Sequence, residues 1–161
     1  MKRLTALFFV VFATSALAAE WTRYENSRFG YVVDVPPGFA GEGEAQNGDG
    51  QIFRSAEGTQ LLRVYGGHIM EENFEASVQT AMGYAAEAGW SLSYERVTPS
   101  WASYSGTRNG QILYARAIPL CDGTQYATFE YEYPEAEINA THDLVERLVA
   151  SLKATGGGVS C

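Results

Sequence analysis

The sequence predicts an α+β fold: an antiparallel sheet, built from hairpins and a C-terminal meander, packed by two helices. Three observations carry that expectation. Short apolar runs alternate with period two between turn-forming clusters. Phe74, Val78, Ala81, Met82 and Ala85 recur at helical spacing in mid-chain. A second apolar stripe, Ile138, Val145, Leu148, Val149 and Leu152, follows the last strand. Strands and helices that are segregated rather than alternating favour an antiparallel sheet with helices laid on it.

Taken in order, residues 1–19 read as an export signal. Lys2 and Arg3 precede an uncharged apolar run from Leu4 to Ala13, and Ala16-Leu17-Ala18 supplies the small residues that a signal peptidase accepts. The run is too short for the roughly 20 residues that span a bilayer, so no membrane insertion is expected after cleavage. Taking 19 residues from 161 leaves 142, residues 20–161, enough for a single domain with a core of its own.

Trp21–Glu25 and Phe29–Val35 form a first hairpin around Asn26-Ser27-Arg28, with Tyr31, Val33 and Val35 on one face. Gly38 to Gly50 is polar and Gly-rich and is expected to be the least structured part of the mature chain. Gln51–Ser55 and Thr59–Gly66 form a second hairpin, in which Gly58 takes the left-handed position. The first helix is capped by Asn73 and ended by Gly89. A strand from Trp90 to Val97 leads into three strands joined at Asn109-Gly110 and Asp122-Gly123, dipeptides that tolerate the positive φ of a type I′ turn.

With two-residue loops at both turns, Trp101 falls opposite Ile118 and Arg116 opposite Phe129. Ile112, Tyr114, Ile118, Phe129 and Tyr131 then share one face. The other face carries Ala102, Ala115 and Ala117, small enough for a helix to approach. Glu130, Glu132 and Tyr126 fall on that same Ala-rich face. These residues and Tyr104 are the candidate binding surface, since amphipathic rings beside carboxylates favour protein or small-molecule contacts.

Composition narrows the partner. The formal charge of −8 becomes −10 once Lys2 and Arg3 leave with the signal, and phosphate binding needs a basic surface, so nucleic acid is excluded. Two cysteines, Cys121 at the mouth of a turn and Cys161 at the last position, are an even count in an exported chain and are expected to form a structural disulfide. A redox dithiol would favour Cys-x-x-Cys at a helix start, and this spacing is different. The bridge would hold a flexible Thr155–Ser160 tail against the meander.

No catalytic residue, metal site or cofactor is expected. His68 and His142 are the only histidines, and neither has a second histidine at ligand spacing. Glu42, Glu44, Asn47 and Asp49 offer oxygens, but alignment on the EF-hand glycine puts alanines at the first and twelfth ligand positions. Ser103 and Ser105 lack the Gly-x-Ser-x-Gly elbow. His142 and Asp143 are neighbours on a helix, where adjacent residues diverge.

Several short motifs remain: Tyr24-x-Asn26 running into Phe29-Gly30-Tyr31, then Pro36-x-Gly38-Phe39, Asn47-Gly48-Asp49-Gly50 and Phe53-x-Ser55-x-x-Gly58. With two hairpins, a helix, a meander and a final helix, they resemble the PsbP-like α/β/α sandwich over the whole mature chain. That superfamily includes extrinsic photosystem subunits, a nuclear-transport cofactor and small exported bacterial proteins of unknown function. The motifs are turn and core chemistry, so the resemblance implies a fold. It also implies a noncatalytic binding or assembly module rather than an enzyme, and assigns no functional residue. The expectation is therefore a periplasmic or secreted module docking to an envelope protein. The alternative is an acidic periplasmic inhibitor or small-ligand-binding protein that uses the Gly38–Gly50 segment.

Overall fold

The computed structural model describes residues 20–159 and Cys161; the expected export signal, residues 1–19, lies outside them. The described residues form ten strands and two α-helices in the order β1 (Thr22–Asn26), β2 (Tyr31–Val35), β3 (Phe39–Glu44), β4 (Gly50–Ser55), β5 (Leu61–His68), α1 (Phe74–Glu87), β6 (Ser91–Thr98), β7 (Trp101–Arg108), β8 (Gln111–Leu120), β9 (Gln125–Pro134), α2 (Ile138–Ser151) and β10 (Lys153–Ala154). All strand pairings are antiparallel. The expected α+β sandwich is the observed one.

Seven strands form one sheet in the order β3-β4-β5-β9-β8-β7-β6, and a separate small sheet has the order β1-β2-β10. The meander keeps the register that its turns require, with Ala102 opposite Ala117 and Arg116 opposite Phe129. Alternation along β9 then sends Ala127, Phe129, Tyr131 and Tyr133 to one face and Tyr126, Thr128, Glu130 and Glu132 to the other.

The first face carries the larger core. Tyr31, Val33 and Val35 of β2 and Leu148 and Leu152 at the end of α2 close over Leu62, Val64, Phe129 and Tyr131. Each fully buried side chain of this size contributes roughly 1.5–3 kcal/mol by leaving water. On the opposite face α1 lays Phe74, Val78 and Met82, spaced by one helical turn, on Ala102, Leu113, Ala115 and Ala117. The alanines let the helix approach. Asn73 caps α1 by accepting from the Ala76 amide at 2.9 Å, and Gly89 leaves it at φ 92°.

Four local expectations are corrected. Gly38–Gly50 contains strand β3, which Gly41 and Gly43 disguise and which forms because β4 offers a partner. The Asp122-Gly123 turn is a four-residue connection, Cys121 to Thr124, in which Cys121, Asp122 and Gly123 all have positive φ. The tail is not free: Lys153 and Ala154 pair with β2, the Thr155 amide donates to Gly30 O at 2.8 Å, and the Val159 amide donates to Ser27 O at 3.0 Å. Ile138, placed in the apolar stripe of the last helix, is 50% exposed. Cys121 and Cys161 are disulfide-bonded, with Cα atoms 5.5 Å apart and a sequence separation of 40.

Candidate functional site

Helix α1 packs on β6 and β7 and leaves the β5–β9 half of the same face uncovered. The result is a cleft of about 490 Å³ between the helix and the sheet. Strand alternation builds its floor: Arg63 and Tyr65 of β5 face the same way as Tyr126, Thr128, Glu130 and Glu132 of β9, because Arg63 pairs with Glu130 and Tyr65 with Thr128. Tyr104 of β7 reaches the cleft from beyond β8. Phe74, Val78 and Trp90 form the apolar wall, and Met70 and Tyr84 stand at the rim, 86% and 67% exposed.

All four residues singled out from the sequence, Tyr104, Tyr126, Glu130 and Glu132, therefore line one cavity. What sequence reasoning missed is its other half. Arg63 bonds Glu132 and lies 3.5 Å from Glu130. Arg108 lies over the Trp90 ring at 4.3 Å, donates to Ala88 O at 2.9 Å and approaches Glu132 at 4.0 Å. The Tyr65 hydroxyl donates to Glu130 at 2.8 Å. The only available signal was the alternation of Arg63 and Tyr65 with Leu62 and Val64; nothing local says that β5 pairs with β9.

Burial sets the electrostatics. It pushes the Tyr65 hydroxyl well above its ordinary range, and the Glu130 charge and hydrogen bond push the same way. Tyr104 is raised by burial and then by Glu130 and Tyr126. Tyr126 is raised by burial and by three carboxylates, Asp49, Glu71 and Glu130. Burial would lower Arg63, but the hydrogen bond and charge of Glu132, with Glu130 behind it, outweigh that and hold it above its usual value. The phenols stay protonated and the guanidinium stays charged across the physiological range.

A more open hollow of about 370 Å³ continues the cleft past Arg63 and Tyr65 toward Glu42, Gly43 and Asp49 of the β3–β4 hairpin. The hairpin's oxygens are engaged by the protein. Glu44 accepts from Tyr24 and Asn26, Glu42 from Arg54, and Asp49 from Asn47. Ser103 is buried, and its hydroxyl accepts from Arg116 at 3.2 Å. His142 and Asp143, expected to diverge as helix neighbours, instead bring ligand atoms within 4.8 Å of each other and of Glu146, all exposed on α2, where His142 and Glu146 are an i,i+4 pair at 3.4 Å. No helix among the described residues is long and apolar enough to cross a membrane.

Neither a protein-family profile nor any curated protein sequence matches the chain. Solved structures do. The fold is similar to that of the cyanobacterial PsbP protein CyanoP from Synechocystis sp. PCC 6803 (TM-score 0.60, 16% identity, 90% of this chain and 98% of that one). It is also similar to the Ran-binding protein Mog1p of Saccharomyces cerevisiae (TM-score 0.62, 11% identity, 86% and 97%). A third similar structure is LpqN of Mycobacterium tuberculosis, described as involved in cell envelope biogenesis (TM-score 0.54, 12% identity, 83% and 90%). The chain has the PsbP-like fold.

Proposed function

We propose that the protein is a noncatalytic, exported binding module that docks an envelope protein through the cleft beside α1. The observation that carries this reading is the cleft itself: Tyr, Trp and Arg side chains at its floor and wall, with Met70 and Tyr84 standing exposed at its rim. Those residue types concentrate binding energy at protein interfaces. The floor ion pairs are already formed, so a partner meets a preorganised surface.

Two further observations support it. Among similar folds are a Ran-binding protein and one involved in envelope biogenesis, both consistent with a module that works through other macromolecules. In the cleft the phenols are raised, the opposite of what an activated nucleophile or general base needs near neutral pH. Export is supported by the Cys121–Cys161 bridge, which suits an oxidising compartment. One observation favours the second reading, a small-ligand-binding protein: about 490 Å³ lies within the range of pockets that enclose small molecules.

Photo-crosslinking separates the two. A photoreactive residue at position 84 is expected to trap one discrete protein in the envelope, while the same residue at position 94, on exposed β6, traps none. Reversing Glu130 and Glu132 to Arg should abolish the adduct. No adduct at 84, or one indifferent to both reversals, overturns the docking reading, and a copurifying small molecule displaced by the reversals establishes the alternative.

A further inference from the structure

The two ends of the cleft differ in charge. At one end Arg63 and Arg108 converge on Glu132, and Arg63 also reaches Glu130 at 3.5 Å. Toward Tyr126 the lining carries the carboxylates of Glu71 and Glu130, with Asp49 in the adjoining hollow, and all three raise the Tyr126 phenol. Tyr104 is 4% exposed, yet its hydroxyl has no hydrogen-bond partner among the described residues, and neither has that of Tyr126. The Tyr104 oxygen is not itself a buried unpaired atom but stays accessible from the cleft, where an entering polar group can bond it in place of water.

Resting on the docking reading, we infer that this tyrosine-lined end receives a basic side chain, lysine or arginine, carried by an otherwise apolar segment of the partner protein. The π faces of Tyr65, Tyr104 and Tyr126 and the Glu130 carboxylate are the surroundings that a desolvated cation prefers. The phenol oxygens supply lone pairs for its N–H groups. An anionic group would meet Asp49, Glu71 and Glu130 instead. The aliphatic stem of the inserted side chain would lie along Phe74 and Val78, and the flanking apolar residues would cover Met70 and Tyr84. The continuation of the cleft into the hollow at the β3–β4 hairpin gives an extended segment room to run.

The test uses the mature, disulfide-intact protein and peptides selected on it from a randomised nine-residue display library. Selected peptides are expected to share one Lys or Arg flanked by apolar residues and to shift the NMR signals of Tyr104 and Tyr126. Replacing that basic residue by norleucine, which keeps the stem and removes the charge, should weaken binding roughly tenfold or more, and Glu130→Gln should do the same. Tyr104→Phe should cost roughly threefold. Glu57→Gln, on the exposed β4–β5 turn, controls for general attraction to an acidic protein and should change nothing. Cleft-binding peptides with no basic preference, or indifferent to norleucine and to Glu130→Gln in a protein whose melting is unchanged, overturn the inference and leave docking intact. Peptides that leave the Tyr104 and Tyr126 signals unmoved overturn both.

Discussion

Gly30 and Gly158 meet backbone to backbone. A Cβ on Gly30 would lie 2.8 Å from the Gly158 Cα, and one on Gly158 would lie 2.6 Å from the carbonyl carbon of Phe29. This contact seats the chain end against the β1–β2 turn, next to the bond from the Thr155 amide to Gly30 O. Gly30→Ala pays twice, for backbone displacement and for its φ of +68°, and should cost about 1–3 kcal/mol. Gly38→Ala is the comparison: φ is +78°, but nothing lies within 4 Å of the added carbon, so only the conformational cost applies. Urea denaturation should place Gly30→Ala clearly below Gly38→Ala. Equal losses would show that the tail does not sit on the turn.

The same docking decides how much the disulfide stabilises. In the chain-entropy account, closing a loop of 40 residues restricts the unfolded state by roughly 4 kcal/mol, and a tail mobile in the native state would give part of that back. Because β10 and the bonds of Thr155 and Val159 already order the tail, the gain should be nearly complete. The double variant Cys121→Ser, Cys161→Ser should lose about 3–4 kcal/mol by urea denaturation. A loss below about 1 kcal/mol would be incompatible with an ordered tail.

Local signals and long-range pairing divided sharply in how far the sequence revealed them. Asn109-Gly110 and Asp122-Gly123 set the registers of β7 with β8 and of β8 with β9, so both were legible, and with them the face that holds Tyr126, Glu130 and Glu132. Helix α1 was legible from Phe74, Val78 and Met82 and from its Asn73 cap. The site was half legible for the same reason. Its β9 side follows from the meander, but Arg63 and Tyr65 join it only because β5 crosses to β9, and Tyr65 bonds a carboxylate 65 residues away. No periodicity encodes such a pairing. The splitting of β1-β2-β10 from the main sheet was hidden likewise, since β10 is two residues long and exists only because β2 offers it an edge.

Burial of the phenols predicts sensitivity to alkali. Tyr24 is pushed up to about 12 by burial and by the carboxylate of Glu44, though its hydrogen bond with Asn26 opposes the rise; Tyr31, Tyr65, Tyr104 and Tyr131 are raised chiefly by burial. These groups bind their protons more tightly when folded. Below pH about 10 both states are protonated and the stabilisation is fully present; above it the unfolded chain ionises first, so stability falls as pH rises toward the folded values. Phenolate absorbance at pH 10.5 should be well below that of the urea-unfolded protein, and the urea midpoint should drop between pH 9.5 and 11.5. Equal absorbance in the two states would contradict the burial of these rings.

Gly67→Ala should separate the cleft from the fold. The added Cβ would stand 2.8 Å from the Tyr126 hydroxyl, the far end of a side chain that is only partly buried and can swing outward. Gly67 carries no positive φ, so its backbone accepts alanine without strain. The melting temperature should therefore stay within about 2 °C, a shift worth under 1 kcal/mol in a protein of this size. Tyr126 meets Tyr65 edge to face at 6.3 Å, and its displacement breaks that contact and reshapes the end of the cleft beside Glu130. Crosslinking from position 84 should fall several-fold while the near-ultraviolet circular dichroism changes only in the tyrosine band. Loss of both fold and crosslink would mean that Gly67 is needed by the sheet itself, and retention of both would mean that the position of Tyr126 does not matter to the partner.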